Sequence, residues 1–168
     1  SVQTKLAGRL TDYLNQTYDT SITIDRLGLN WQGGIDLRDI YIEDHHQDTL
    51  IYARQLQTNI LSFSNLLKTE VTLGYVKFYD TKLFIKTYKN EARDNMSIFS
   101  EKFNSGTKGA RIFKLNADQV FVKSSAIKII DQNLSTPLLF DLKNVKATDR
   151  DLKILGPDVF TNISSLDL

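Results

Sequence analysis

The sequence predicts a mainly β protein with a leading amphipathic helix and short helices, in which antiparallel strands repeat to form one curved sheet. Two observations carry this prediction. An eight-residue spacing, apolar-x-apolar-x-x-apolar-x-apolar, recurs six times between residues 22 and 168. The first 14 residues instead follow the i, i+4 spacing of a helix.

The repeated spacing is that of a strand with a β-bulge. Alternation keeps apolar side chains on one face, and one extra residue would turn them to the other face unless the backbone absorbs it. The copies are Ile22, Ile24, Leu27, Leu29; Ile35, Leu37, Ile40, Ile42; Val71, Leu73, Val76, Phe78; Leu115, Ala117, Val120, Val122; Phe140, Leu142, Val145, Ala147; and Thr161, Ile163, Leu166, Leu168. Three copies are extended by a second apolar pair: Leu83 and Ile85, Ile127 and Ile129, and Leu152 and Ile154. Six copies in one chain indicate a repetitive sheet.

The first element is the clearest helix of the chain. Its apolar stripe is formed by Val2, Leu6, Leu10, Tyr13 and Leu14. A helix that lies on a membrane surface carries a polar face rich in Lys and Arg, and this one does not. We therefore expect the stripe to pack against one end of the sheet.

Turn residues separate the predicted strands. A hairpin turn is predicted at 32–34, a polar turn at 43–48, and a tight turn at 79–81, while 62–68 is predicted to form one or two helical turns. The later strands are predicted to be separated at 131–137, 148–151 and 156–158.

A second short helix is predicted before the longest loop. Ser97 is placed to cap it, and Phe99 and Phe103 stand at i, i+4 spacing. Residues 104–109 have no large apolar side chain and are the best place to divide the chain. Because the strand spacing resumes at once, we predict a single domain, with residues 1–103 forming a helix-plus-sheet part and residues 110–168 continuing the sheet.

Composition narrows the possible functions. The 168 residues are 41% hydrophobic, and 21 Lys and Arg against 20 Asp and Glu leave a net charge of +1. This balance argues against a basic face for nucleic acid. The absence of cysteine excludes disulfides and thiol chemistry. Since the chain begins at Ser1 rather than Met, we expect it to be a fragment or processed piece of a longer protein.

The cluster Glu43, Asp44, His45, His46 and Asp48 is the candidate for a metal site, because imidazole and carboxylate ligands are both present. Adjacent histidines on an extended chain point in opposite directions, and the chain contains no third histidine. A solvated hairpin turn is therefore the favoured interpretation, and no metal is predicted.

Enzymatic signatures are absent from the sequence. It contains no G-x-S-x-G elbow, no Walker loop and no G-x-G-x-x-G motif. Paired glycosidase carboxylates are defined by their separation in space, so the sequence leaves them open, but no acidic cluster rich in aromatic residues suggests them. We predict a non-enzyme with no catalytic residue and no cofactor.

Strands that are apolar on one face can serve two purposes. Their faces pack against each other in a sandwich, or they line an open trough that accepts acyl chains. The pattern alone leaves these two open. Further alternatives are a scaffold that binds a client strand by β-augmentation and a sandwich that binds a glycan.

Residues 2–103 resemble the N-terminal, AsmA-like region of TamB-type translocation and assembly module proteins, in their Bacteroidetes form. The resemblance rests on the leading helix, on the segment DTLIYA at 48–53 with Leu56, on the pair Leu66 and Leu67, and on Asn95 with Met96. From residue 111 onward only the strand spacing is shared.

The resemblance implies a taco-like or trough-like sheet with an apolar interior. It implies a periplasmic segment, anchored in the inner membrane by a helix upstream of Ser1, of a bridge-like lipid transport protein that contributes to outer-membrane biogenesis. The implied partners are phospholipid acyl chains and a BamA-like outer-membrane protein, and the leading helix would lie at the membrane-proximal end. The resemblance implies no catalytic residue in this chain.

The predicted lipid contacts are the inward anchors of the repeated strands. They are Ile35, Leu37, Ile40, Ile42, Val71, Leu73, Val76, Phe78, Leu83, Ile85, Leu115, Val120, Val122, Ile127 and Ile129.

Overall fold

The computed structural model describes residues 1–65, 69–105, 113–136, 138–155 and 165–167. Their helices and strands are α1 (Val2–Tyr18), β1 (Ser21–Leu29), β2 (Gly34–Glu43), β3 (Thr49–Asn65), β4 (Thr69–Thr87), α2 (Asn95–Ser105), β5 (Phe113–Asp131), β6 (Leu138–Leu155) and β7 (Ser165–Asp167). The prediction of a mainly β chain with a leading helix is confirmed.

The described strands form one open, curved sheet in sequential order from β1 to β7. Neighbouring strands are antiparallel, as predicted, except that β4 and β5 are parallel. The exception follows from the connection, because α2 lies between them and a parallel pair needs a crossover of this length. Both parts of the chain, before and after residue 104, contribute strands to this sheet.

Three predicted interruptions of the strands are wrong. The tight turn at 79–81 lies inside β4, the helical turns begin inside β3, and the break at 148–151 lies inside β6. At 79–81 and 148–151 the neighbouring strand continues to pair on both sides of the expected break, so this pairing overrides the local turn residues. Residues 62–65 are strand because they pair with the start of β4. Residues 66–68, with Leu66 and Leu67, lie outside the described residues, as do the predicted break at 156–158 and Thr161, Ile163 and Leu168 of the sixth copy.

The packed face of α1 differs from the predicted stripe. Its buried residues are Ala7, Thr11 and Tyr18, whereas Val2 and Tyr13 are more than half exposed. Leu10 and Leu14 of the predicted stripe pack against the core cluster that contains Ala7 and Tyr18, so the stripe packs in part. An apolar edge of α1 therefore remains exposed.

Helix α2 is present with its phenylalanines inward, as predicted. Phe99 and Phe103 are buried and their rings are 4.9 to 5.2 Å from an aromatic neighbour. The cap is Asp94 rather than Ser97, because the Asp94 carboxylate accepts the amide hydrogen of Ser97 at 2.8 Å.

Kinks in three strands lie side by side across the sheet, and they explain why apolar residues on either side of them are an odd number of positions apart. Asp39, Asp80 and Ser124 have positive φ angles of 50°, 49° and 50°. The flanking pairs place Asp39 opposite Arg54, Arg54 opposite Asp80, and Asp80 beside Ser124. In β2, β4 and β5 the side chains therefore change faces once at this row, so apolar residues on both sides of the kink share one face.

A second kink lies at the spacer that contains Gly74. The pairing of β3 with β4 shifts there between Thr58 and Ser62, which confirms the β-bulge predicted for β4. The Asn59 side-chain oxygen fills the gap in the ladder by accepting the Tyr75 amide hydrogen at 3.0 Å. The pairing of β1 with β2 has no register shift, so the bulge predicted for these two copies of the spacing is absent, and a kink at Asp39 lies there instead.

Candidate functional site: the apolar face of the sheet

Apolar residues on successive strands lie in register and form rows across one face of the sheet. One row joins five strands and consists of Leu27, Leu37, Leu56, Phe78 and Val122. A second, beyond the kinks, consists of Ile22, Ile42, Ile51, Leu83, Ile127 and Leu142. The apolar residues that recur at this spacing in the sequence therefore lie together on one continuous apolar face.

Both described helices cover one part of this face. Residues of α1 and α2 bury strand side chains in a group that we call the helix-covered cluster: Ala7, Tyr18, Ile22, Ile24, Ile40, Leu50, Ala53, Met96, Phe99 and Phe103. Of the predicted lipid contacts, Ile40 belongs to it, and Leu37, Ile42, Leu83 and Ile85 pack against its margin. These side chains contact protein in this structure.

A separate group, the strand cluster, lies on β4 and β5. It consists of Val71, Leu73, Val76, Ala117 and Val120, with Leu56, Phe78, Leu115 and Val122 partly buried at its margin. Val76 and Val120 are 1% and 5% exposed, so they support the surface rather than form it. The half-buried members at the margin, among them Phe78 and Val122, are the ones whose side chains reach solvent.

The apolar face continues past both clusters onto β5 and β6. Ile127 pairs with Leu142, and Ile129 pairs with Phe140. Phe140 is 41% exposed, and the other three are half-buried. We call Ile127, Ile129, Phe140 and Leu142 the open strip. The open strip, the half-buried Ile35 and Val122 at the margin of the strand cluster are apolar side chains that remain partly exposed.

Sequence reasoning placed Phe140 and Leu142 in the repeated spacing but did not include them among the lipid contacts. It also omitted Leu56, which joins both clusters at their margins. The register supplies the missing information, because only the pairing of β5 with β6 shows that Phe140 lies beside Ile129.

The opposite face of the sheet carries ion pairs and polar side chains together with aromatic ones. Arg54 Nε lies 2.5 Å from an Asp80 carboxylate oxygen, and Tyr52 donates a hydrogen bond to Asp39 at 3.1 Å. The Lys77 ammonium lies 5.4 Å from the centroid of the Tyr75 ring and 5.9 Å from that of Phe121. The charged groups of these strands therefore lie on the side away from the apolar rows.

The turn between β2 and β3 brings two histidines together, contrary to the expectation that their rings diverge. His45 and His46 are in a tight turn rather than an extended chain, and both Nε2 atoms reach the Glu91 carboxylate, at 2.6 and 2.8 Å. These two hydrogen bonds lower the pKa of Glu91. The partner Glu91 is 45 residues away from His46, so no local pattern could have indicated the contact.

A buried polar network supports this turn. Tyr88 donates to Asp44 and, at 2.8 Å, to Asp48, and burial together with these bonds raises the pKa of Tyr88. Asn95 is fully buried and donates to Asp44 at 2.9 Å while accepting the Lys86 amide hydrogen at 2.9 Å. The network joins the β2–β3 turn, the end of β4 and the start of α2.

Comparison with protein-family models, with curated proteins and with solved structures finds no match. In the described residues, neither helix has the length and apolarity needed to cross a bilayer.

Proposed function

We propose that the chain is a non-enzymatic, lipid-holding segment of a bridge-like lipid transport protein, in which the apolar face of the sheet contacts acyl chains. The observation that carries the proposal is the continuation of in-register apolar rows beyond the helix-covered cluster, onto Val122 and the open strip. A protein that needed this face only for its own core would end its apolar rows where its covering helices end.

The physical properties of the face suit an acyl chain. A strand of about ten residues extends roughly 33 Å, which is longer than one lipid tail, since two tails together span a hydrocarbon core of roughly 30 Å. Each methylene group that leaves water contributes about 0.8 kcal/mol to the free energy of binding, and such binding needs no hydrogen bond to a polar side chain. Ile127, Ile129, Phe140 and Leu142 offer aliphatic and aromatic surface of this kind, while the ion pairs lie on the opposite face.

The resemblance to AsmA-like envelope proteins extends the proposal to location and partners. On that basis the segment is periplasmic, belongs to a protein anchored in the inner membrane, and contributes to outer-membrane biogenesis with a BamA-like protein. It then holds phospholipid on its way between the two membranes.

An exposed apolar end supports a membrane-proximal position for α1. Val2 at the start of α1 is 73% exposed, and Leu29 and Trp31, beside the β1–β2 hairpin, are 67% and fully exposed. The Gln3 side chain lies close to Gly28, so the start of α1 and this hairpin share one end of the molecule. Tryptophan is enriched where proteins meet the membrane interface.

Binding of a fluorescent phosphatidylethanolamine tests the proposal. Val122→Glu places a charge on the apolar face, and Lys123→Glu places the same charge on the neighbouring, exposed residue as a matched control. We expect the wild type and Lys123→Glu to bind the probe alike and Val122→Glu to bind at least about tenfold more weakly, a difference of about 1.4 kcal/mol. Circular dichroism checks the fold of each variant. Equal binding by a folded Val122→Glu, or no binding by the wild type, would overturn the proposal.

A further inference from the structure

We propose that His45, His46 and Glu91 form a binding site for a divalent transition metal, with Zn²⁺ as the ion that this ligand set favours. The site is independent of the apolar face and of the lipid proposal. It lies where the β2–β3 turn meets the loop between β4 and α2.

The backbone of the turn holds the two imidazoles on one side. The Asp44 carboxylate accepts amide hydrogens from His46 at 2.8 Å and from Asp48 at 3.1 Å, and Gln47 has a positive φ of 62°. This tight geometry reverses the chain within a few residues. As a result, consecutive side chains converge on a common point instead of alternating.

Glu91 is positioned from the other side of the site. Its amide donates to the Tyr88 carbonyl at 3.0 Å, and its own carbonyl accepts from the Asn133 side chain at 2.9 Å. Asn133 in turn accepts the Asn90 amide hydrogen at 2.8 Å. These bonds hold the Glu91 backbone between two loops, and the carboxylate itself is held by the two histidines.

The ligand atoms are close enough for one ion. One atom from each of His45, His46 and Glu91 lies within 4.8 Å of the others. Tetrahedral zinc binds nitrogen and oxygen at about 2.0–2.1 Å, which places neighbouring ligand atoms about 3.3 Å apart. The present His–Glu distances of 2.6 and 2.8 Å are those of hydrogen bonds. An ion that replaces the shared protons requires the carboxylate to withdraw slightly and ligand atoms that are as much as 4.8 Å apart to approach each other by up to about 1.5 Å.

The rings are held before any ion arrives. His46 stacks on the Tyr88 ring at 3.7 Å between centroids, and His45 meets the same ring edge-on at 5.3 Å. His45 Nδ1 is buried with no hydrogen-bond partner in the described structure, so Nε2 is the nitrogen of that ring that faces polar groups. Preorganised ligands lose little freedom on binding, which favours affinity.

Ligand chemistry selects the class of metal. Two imidazoles and one carboxylate suit zinc and its transition-metal neighbours, whereas calcium and magnesium prefer all-oxygen sites. Three protein ligands leave a fourth position for water or for a group from outside. The bound ion would link the β2–β3 turn to the loop after β4.

Titration calorimetry of the tag-free protein with ZnCl₂ tests the site. The chain has two histidines and no cysteine, so imidazole-dependent binding can come from this pair alone. We expect one Zn²⁺ per chain with a Kd of about 20 µM or tighter. X-ray absorption should show two imidazole ligands, and the unfolding midpoint should rise with added zinc.

Two variants remove one ligand each while keeping local shape. His46→Phe preserves the stack on Tyr88, and Glu91→Gln preserves the size of the side chain. Asp39→Asn, which removes an exposed carboxylate elsewhere, is the matched control. We expect each ligand variant to weaken zinc binding at least about tenfold and the control to bind as the wild type does. A wild-type Kd weaker than the expected limit, or unchanged binding in both ligand variants, would overturn the site.

Discussion

Phe78 on β4 and Val122 on β5 lie in register across the parallel strand pair, although α2 and the segment around it separate them in sequence. Both are partly buried at the margin of the strand cluster and face the same side of the sheet. The connection through α2 therefore places β5 in the register in which its apolar residues continue the apolar face of β4. That continuity is the structural basis of the proposed lipid surface.

The Asp44 carboxylate should make stability dependent on acidic pH. Burial alone would raise its pKa, but hydrogen bonds from Asn95, Tyr88 and the amides of His46 and Asp48 outweigh burial and lower the pKa below its ordinary 3.8. The resulting stabilisation is complete above the ordinary value and is lost as pH falls through the lower folded-state value. Asp44→Asn should lower the free energy of unfolding by about 2–3 kcal/mol at pH 7.

Guanidinium unfolding from pH 7 to pH 2 measures this dependence. Since asparagine does not titrate, the difference between wild type and Asp44→Asn should shrink toward zero at pH 2. Glu91, whose pKa is also lowered, is present in both proteins and cancels in the difference. A difference that stays constant with pH would show that the charge of Asp44 does not stabilise the fold.

The bulge at Gly74 should not tolerate a larger residue. A Cβ there would lie 2.6 Å from Asn59 Oδ1, which accepts the Tyr75 amide hydrogen. Gly74→Ala should therefore cost about 1–2 kcal/mol, because Asn59 must move and the Tyr75 amide loses its partner.

A double-mutant cycle with Asn59→Ala tests the cause of that cost. The two effects should fall short of additivity by at least about 0.5 kcal/mol, since both remove the same hydrogen bond. Gly8→Ala is the control: a Cβ at Gly8 meets nothing within 4 Å, and the change should stabilise α1 by about 0.5–1 kcal/mol. Strict additivity of Gly74→Ala and Asn59→Ala would refute the proposed bulge support.

Ser124 occupies a left-handed position in the kink row, with φ at 50°. Glycine adopts this conformation without steric cost, whereas a β-branched residue strongly avoids it. We expect Ser124→Gly to be neutral or stabilising by up to about 1 kcal/mol and Ser124→Val to destabilise by about 1–2 kcal/mol. Thermal unfolding measures both changes, and greater stability of the valine variant would mean that β5 is regular at this point.

The sequence predicted the features that depend on local periodicity. The apolar face of β1 to β6, the hairpin near Gly33 and the inward phenylalanines of α2 follow from spacing and turn chemistry. Features that depend on contacts between residues far apart in the sequence were not predicted. The strand continues through Asp80 because both neighbours pair around it, and β5 is parallel because α2 separates it from β4.

The candidate sites also combine features that local spacing predicts with features that depend on distant contacts. The predicted lining anchors share one face, but the distinction between covered Ile40 and half-exposed Val122 depends on where the helices lie. The meeting of His45 with Glu91 depends on the fold of three loops. Such contacts have no signature in a single sequence.

Photocrosslinking in cells tests the central claim most directly. A benzophenone amino acid placed at Ile127 reports on the open strip, and the same probe at the adjacent Lys128 reports on the opposite face. Lys128 is joined to the fold by a 4.0 Å surface ion pair with Asp141, so its replacement should perturb little. The lipid account predicts phospholipid adducts, identified by mass spectrometry, from position 127 and few or none from position 128. Adducts at 127 that are formed with protein alone, or equal lipid adducts at both positions, would contradict it.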